Sequence, residues 1–132
     1  MKNDRPQFNY VACPDIEALF SQAALDETDV EFVRFENLAL ESGVYPGLTF
    51  RNCLFAGCHI TGCTLERAAF IDCILEHCDC SNAAVPKAAL ERTRFTDCKL
   101  VGATFSEAFL LDVIFERCVS RYSNFSFSKM SH

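Results

Sequence analysis

From Leu48 onward the apolar positions recur every five residues. Written in fives the chain reads LTFRN, CLFAG, CHITG, CTLER, AAFID, CILEH and onward in one unbroken phase to SNFSF at residues 123–127. In these sixteen units the third place is Phe, Leu, Ile or Val fourteen times, and the first is Ala, Cys, Ser or Thr fourteen times. A period of five is neither the 3.6 of a helix nor the 2 of a flat strand. It requires short extended segments that turn a corner every five residues, so that the first and third residues of each unit always face the same way. Because the third-place residues are apolar, they face inward, and four sides close a square tube of about twenty residues per coil, held by backbone hydrogen bonds between coils ~4.8 Å apart.

A step of twenty predicts which outward residues stack. Asp72, Arg92 and Asp112 fall in one column, His77, Asp97 and Arg117 in another, and His59, Asp79 and Lys99 in a third. The signs alternate, apart from the like-charged step from Arg67 to Lys87. Gly57, Gly62, Asn82 and Gly102 stand at the fifth place, where a corner needs positive φ, and Pro86 at the fourth, where a fixed φ suits a turn.

The run from Cys53 to Phe127 resembles the pentapeptide-repeat proteins, whose unit is written A(D/N)LXX and which AAFID, AALER, ATFSE and SNFSF match as they stand. The resemblance implies an all-β fold, a right-handed quadrilateral β-helix. The phase persists less faithfully through TDVEF, VRFEN, LALES and GVYPG, which gives a distorted first coil and a β-helix over 28–127 of about five coils. Residues 1–27 read as an N-terminal cap over the open end. Within it Asp15 and IEALFSQAAL suit a capped helix over 15–25, while ALFSQ and AALDE also fit the fivefold phase. Residues 128–132 read as a tail.

Charge is spread unevenly along the chain. The net charge of −6 is concentrated in residues 1–49, which carry nine acids against three bases, whereas 50–127 carry nine acids against eight bases. No basic surface for nucleic acid is expected. The start, MKNDRPQFNY, lacks the apolar stretch of a signal peptide, and no run is apolar enough to span a membrane, so the cytoplasm is the expected compartment.

Nine cysteines raise the question of disulfides, metal or nucleophiles. Cys53, Cys58, Cys63, Cys73, Cys78, Cys98 and Cys118 all hold the small inward place, where Ala, Thr and Ser substitute within this one chain, so they read as small core residues. In HCDC, His77 takes an outer corner while Cys78 and Cys80 face inward, and the three do not converge on a zinc ion. No metal, cofactor or catalytic constellation is expected, and the chain does not read as an enzyme.

Function is therefore sought on the outward faces. Leu54, Ile74 and Ile114 share a column interrupted by Arg94, with Phe109 and Leu111 on the adjacent face; Phe115, Phe125 and Phe127 crowd the last turn. These eight residues are the candidate interface. The expected role is a binding or scaffold protein, with a protein partner and a homodimer formed through the C-terminal coil, a mode that the family resemblance also implies. The alternative that the resemblance implies is a topoisomerase-interacting protein of the Qnr quinolone-resistance type, acting on DNA gyrase or mimicking DNA.

Overall fold

The computed structural model describes residues 10–125 and 129–131. In chain order the elements are β1 (Val11–Ala12), α1 (Ile16–Asp26), β2 (Val30–Glu31), β3 (Val33–Glu36), β4 (Ala39–Leu40), β5 (Thr49–Arg51), β6 (Leu54–Ala56), β7 (His59–Ile60), β8 (Ala69–Ile71), β9 (Ile74–Glu76), β10 (Ala89–Glu91), β11 (Arg94–Thr96), β12 (Phe109–Leu111), β13 (Ile114–Glu116) and β14 (Lys129–Ser131). Every strand pair is parallel, and from β2 on partners stand twenty residues apart: Val30 pairs with Phe50, Phe50 with Phe70, Leu90 with Leu110. The result is a β-helix with four walls. One is the sheet β1-β3-β6-β9-β11-β13, the next β2-β5-β8-β10-β12-β14. The remaining two are built from β4 with β7 and from single bridges such as Asp79–Lys99 and Ala84–Thr104.

Corners follow from one conformation repeated. Every fifth place from Gly47 to Tyr122 has positive φ, including Arg67 (61°), Asp72 (56°) and Glu107 (59°) as well as the expected Gly57, Gly62, Asn82 and Gly102. For an L-residue the left-handed region costs roughly 1–2 kcal/mol. The cost is offset by an amide that the conformation aims at the next coil: Asp72 donates to Glu91 O (2.9 Å), His77 to Thr96 O (2.9 Å) and Asp97 to Glu116 O (2.9 Å). Gly57 and Gly102 have a second reason to be glycine, since an added Cβ would meet the side-chain oxygens of Asn37 and Asn82 one coil below and force them to shift.

The inward third-place residues stack at the coil spacing. Phe35 lies on Phe55 (4.5 Å, 9°), Phe50 on Phe70 (4.9 Å), Phe95 on Phe115 (4.8 Å) and Phe105 on Phe125 (5.1 Å, 7°). At the N-terminal end α1 lies over this core. Asp15 is its N-cap, accepting from the Ala18 amide at 3.1 Å, and Glu27 ends it in the left-handed region. Its apolar side, Ile16, Phe20 and Ala23, is buried, and the Phe20 ring meets Phe35, Tyr45 and Phe50 at 5.9, 5.7 and 5.2 Å.

Two readings change. Leu54 and Ile74 are outward in register but buried, at 1% and 8% exposure, and so leave the candidate interface. Arg34 and Arg94 bracket the pair in the column, and their side chains are only 35% and 31% exposed against 64% for Arg117. Arginine stems laid along an apolar stack cover it. Residues 129–131 are not a tail outside the sheet: β14 pairs with β12, Leu110 opposite Met130.

Candidate functional site

The thiols are the most conspicuous chemistry of the chain. All nine cysteines are free, and eight are buried, Cys118 being partly exposed. Where it holds Cys, Thr or Ser, the small inward place is a donor position. Cys53 donates to Val30 O (3.3 Å), Cys58 to Phe35 O (3.2 Å), Cys63 to Leu40 O (3.0 Å) and Cys98 to Leu75 O (3.4 Å), each to a carbonyl twenty-three residues back. Thr93 and Ser123 make the same bond with their hydroxyls, to Phe70 O at 3.0 Å and Leu100 O at 2.6 Å. Burial pushes the Cys63 thiol up to about 11, and pushes Cys73 and Cys80 further up. Cys78, between two sulfurs of the ladder, is raised first by the hydrogen bonds it shares with Cys58 and Cys98 and then by burial. Their partners are shifted the other way: hydrogen bonds from Cys73 and Cys78 lower Cys53, Cys58 (to about 7) and Cys98, yet all three are enclosed in the core at 0–1% exposure, so it is enclosure rather than pKa that keeps the ladder from reagents and ions. No group of three or more metal-ligating side chains occurs among the described residues. A direct check on the donor role is Cys63→Val, which removes the S–H and adds bulk; it should destabilise the fold by about 1–3 kcal/mol in a denaturant titration, with Cys63→Ser closer to neutral.

Outward charges close into pairs along the columns. Arg92 grips Asp72 through two nitrogens (2.7 and 3.2 Å), Arg117 does the same with Asp97 (2.9 and 3.3 Å), and Arg51 reaches Asp29 (2.9 Å). His77 stands 3.9 Å from Asp97 and His59 4.0 Å from Asp79. The Arg117 hydrogen bond holds the Asp97 carboxyl below its usual range. Asp79 also lies low: its partial burial opposes the charge, but hydrogen bonds from Ser81 outweigh that. The exposed pairs set the register of neighbouring coils more than they add stability.

What remains open is apolar and terminal. Phe109 is 41% exposed, Ile114 44%, Phe115 38% and Val119 42%. Leu111 and Phe125 are intermediate, and Phe127 lies outside the described residues. Phe115 is an inward residue by phase; it is exposed because its sheet ends at β13, with no strand beyond it among the described residues. Beside it a hollow of about 330 Å³ is lined by Leu100, Phe115, Arg117, Cys118, Ser120 and Phe125. Arg117 repeats the corner geometry of Asp97, yet its amide has no acceptor one coil on among the described residues, and the same holds for Tyr122. Tyr122, 84% exposed, was not singled out by the pattern because it sits at a fifth place, which reads as a turn. The exposed edge therefore joins Ile114, Phe115, Val119 and Tyr122, a subset of the sequence candidates extended by two residues.

The comparisons with known proteins agree on the architecture. Residues 68–132 match the pentapeptide repeat region family, and residues 50–83 match the family of pentapeptide repeats in eight copies. Among solved structures the chain is similar to the pentapeptide repeat protein Rfr23 from the cyanobacterium Cyanothece 51142, at 14% identity and a TM-score of 0.65 over 86% of this chain and 95% of that one. A weaker likeness is to QnrB1, a plasmid-mediated fluoroquinolone resistance protein, at 15% identity and a TM-score of 0.38 over 76% of this chain and 73% of that one. HetL of Nostoc sp. strain PCC 7120, a pentapeptide repeat protein involved in heterocyst differentiation regulation, follows at 12% identity and 0.34 over 77% of this chain and 57% of that one. No curated protein matches.

Proposed function

The chain belongs to the pentapeptide-repeat family, and from that premise we propose that it is a non-enzymatic binding protein that pairs end to end with a second copy through its last coil. The carrying observation is the edge of β13, unpaired among the described residues, with exposed Ile114 and Phe115 on it. An edge strand flanked by apolar side chains is a template for another strand. A two-fold axis lying against β13 sets the two copies antiparallel, edge to edge, and closes the contact without leaving a further open edge. Val119 and Tyr122 flank that contact from the neighbouring walls.

DNA gyrase, the partner implied for Qnr-type members, draws no support from this surface. Asp72 and Asp97 are gripped by arginines up their columns, so those columns do not form a continuous acidic stripe resembling duplex DNA.

The test is light scattering over a concentration series. The native chain should give the dimer mass at micromolar concentration. Ile114→Lys should give the monomer with an unchanged circular dichroism spectrum, because Arg94 already places a base at the neighbouring position of the same column and lysine blunts an edge. A native chain that is monomeric throughout the series rules the reading out.

A further inference from the structure

The opposite end of the β-helix is built asymmetrically. The wall that ends in β3 is continued by β1: Val11 donates to Phe32 O (2.7 Å) and Cys13 to Arg34 O (2.9 Å). The adjacent wall ends in β2, and among the described residues no strand pairs with the outer side of Val30–Glu31. Helix α1 passes over this end without contributing a strand, and a groove of about 660 Å³ opens between its flank and β2. The floor is apolar, from Leu19, Ala23, Val30 and Val33; Asp15, Asp29 and Glu31 stand around it.

Two features decide what fits. The first is geometry: the groove runs along a strand whose outer side has no partner strand among the described residues, so an occupant in extended conformation gains backbone hydrogen bonds as well as apolar contact. The second is charge. Residues 10–49 carry eight acids against one base, Arg34, whose guanidinium is engaged by Glu36 at 3.0 Å. Of the acids at the groove, Asp29 is paired with Arg51 (2.9 Å), which also stands opposite Glu31 and attracts it, and Asp15 caps α1 through the Ala18 amide; three carboxylates thus meet one arginine, and the rim keeps a net negative charge. An acidic rim over an apolar floor favours cationic partners and repels acidic ones.

We propose that the groove between α1 and β2 takes up an extended, lysine- or arginine-bearing segment of a partner protein, which adds as a strand to β2. Its apolar side chain lies on Val30 and Leu19, and its basic ones face Asp15 and Glu31. This site is at the other end from β13 and stands whether or not the chain dimerises.

The probe is a fluorescein-labelled ten-residue peptide of alternating lysine and valine, titrated with the full chain and read by fluorescence anisotropy. Saturable binding is expected, with chemical-shift changes at the backbone amides of Asp29 and Glu31. An alternating glutamate and valine peptide should not bind. Nor should the lysine and valine peptide N-methylated at every second residue, which keeps its charge but cannot form the strand. Glu31→Lys, at an exposed position, should weaken binding about tenfold with the circular dichroism spectrum unchanged. Absence of saturable binding overturns the proposal. So does equal binding of the N-methylated peptide, which would mean charge attraction without strand addition, or affinity unmoved by Glu31→Lys.

Discussion

Phe20→Ala should cost about 3–5 kcal/mol of stability, the range for emptying a buried aromatic site. Phe20 is fully buried, and it is the residue by which α1 is fixed to the core, with ring contacts to Phe35, Tyr45 and Phe50 between 5.2 and 5.9 Å. In a stacked fold each coil leans only on its neighbours, so the first coil relies on the helix as the second relies on the first. Its strands are short: β2 and β4 are two residues each, and Val33 and Leu38 fill a place that is small in fourteen of the sixteen later units. Denaturant unfolding of the variant, compared with the native chain, measures the loss. Leu25→Ala on the same helix, at 78% exposure, should stay within about 0.5 kcal/mol. A Phe20→Ala cost below about 1 kcal/mol would mean that α1 does not anchor the core.

The second large effect is thiol protection. Eight of the nine cysteines are buried, and reaction with an aromatic disulfide reagent requires the coil around each to open. For openings that cost several kcal/mol the rate falls by about a thousandfold or more relative to the unfolded chain. Native protein should therefore release at most the Cys118 equivalent promptly and the other eight slowly, whereas protein in denaturant should release all nine at once. Prompt native reaction at Cys58 or Cys78, both at the core of the ladder and at most 2% exposed, would contradict their placement.

The chain's pattern carries its architecture openly and its surface only in part. The fivefold phase places Phe50 on Phe70 and Phe95 on Phe115, and the step of twenty puts Arg92 on Asp72 and Arg117 on Asp97, as the structure shows. Periodicity reports the direction of a side chain, not what covers it. Leu54 and Ile74 do point outward, yet they lie buried between Arg34 and Arg94 in the column, and no rule of phase contains that fact. The donor role of the small place was legible in principle: Cys, Thr and Ser share a hydrogen to give, and Thr93 is as buried as Cys73, at 1%. Likewise SKMSH keeps the phase, with Ser128 first and Met130 third, but its polar flanks read as a tail. Helix α1 competed with a further coil because Ala, Leu and Phe at 18–25 satisfy both periods; the cap at Asp15 decides it, by satisfying the Ala18 amide.

The proposed pairing through β13 makes its sharpest claim about edge amides that have no acceptor among the described residues. Hydrogen–deuterium exchange of residues 113–118, followed from nanomolar to high micromolar concentration, reads those amides directly. Phe115 and Arg117 should become protected as the concentration rises, and Ile114→Lys should abolish the change while leaving the inner coils protected. Exchange at these amides that is equally fast at every concentration would contradict the pairing.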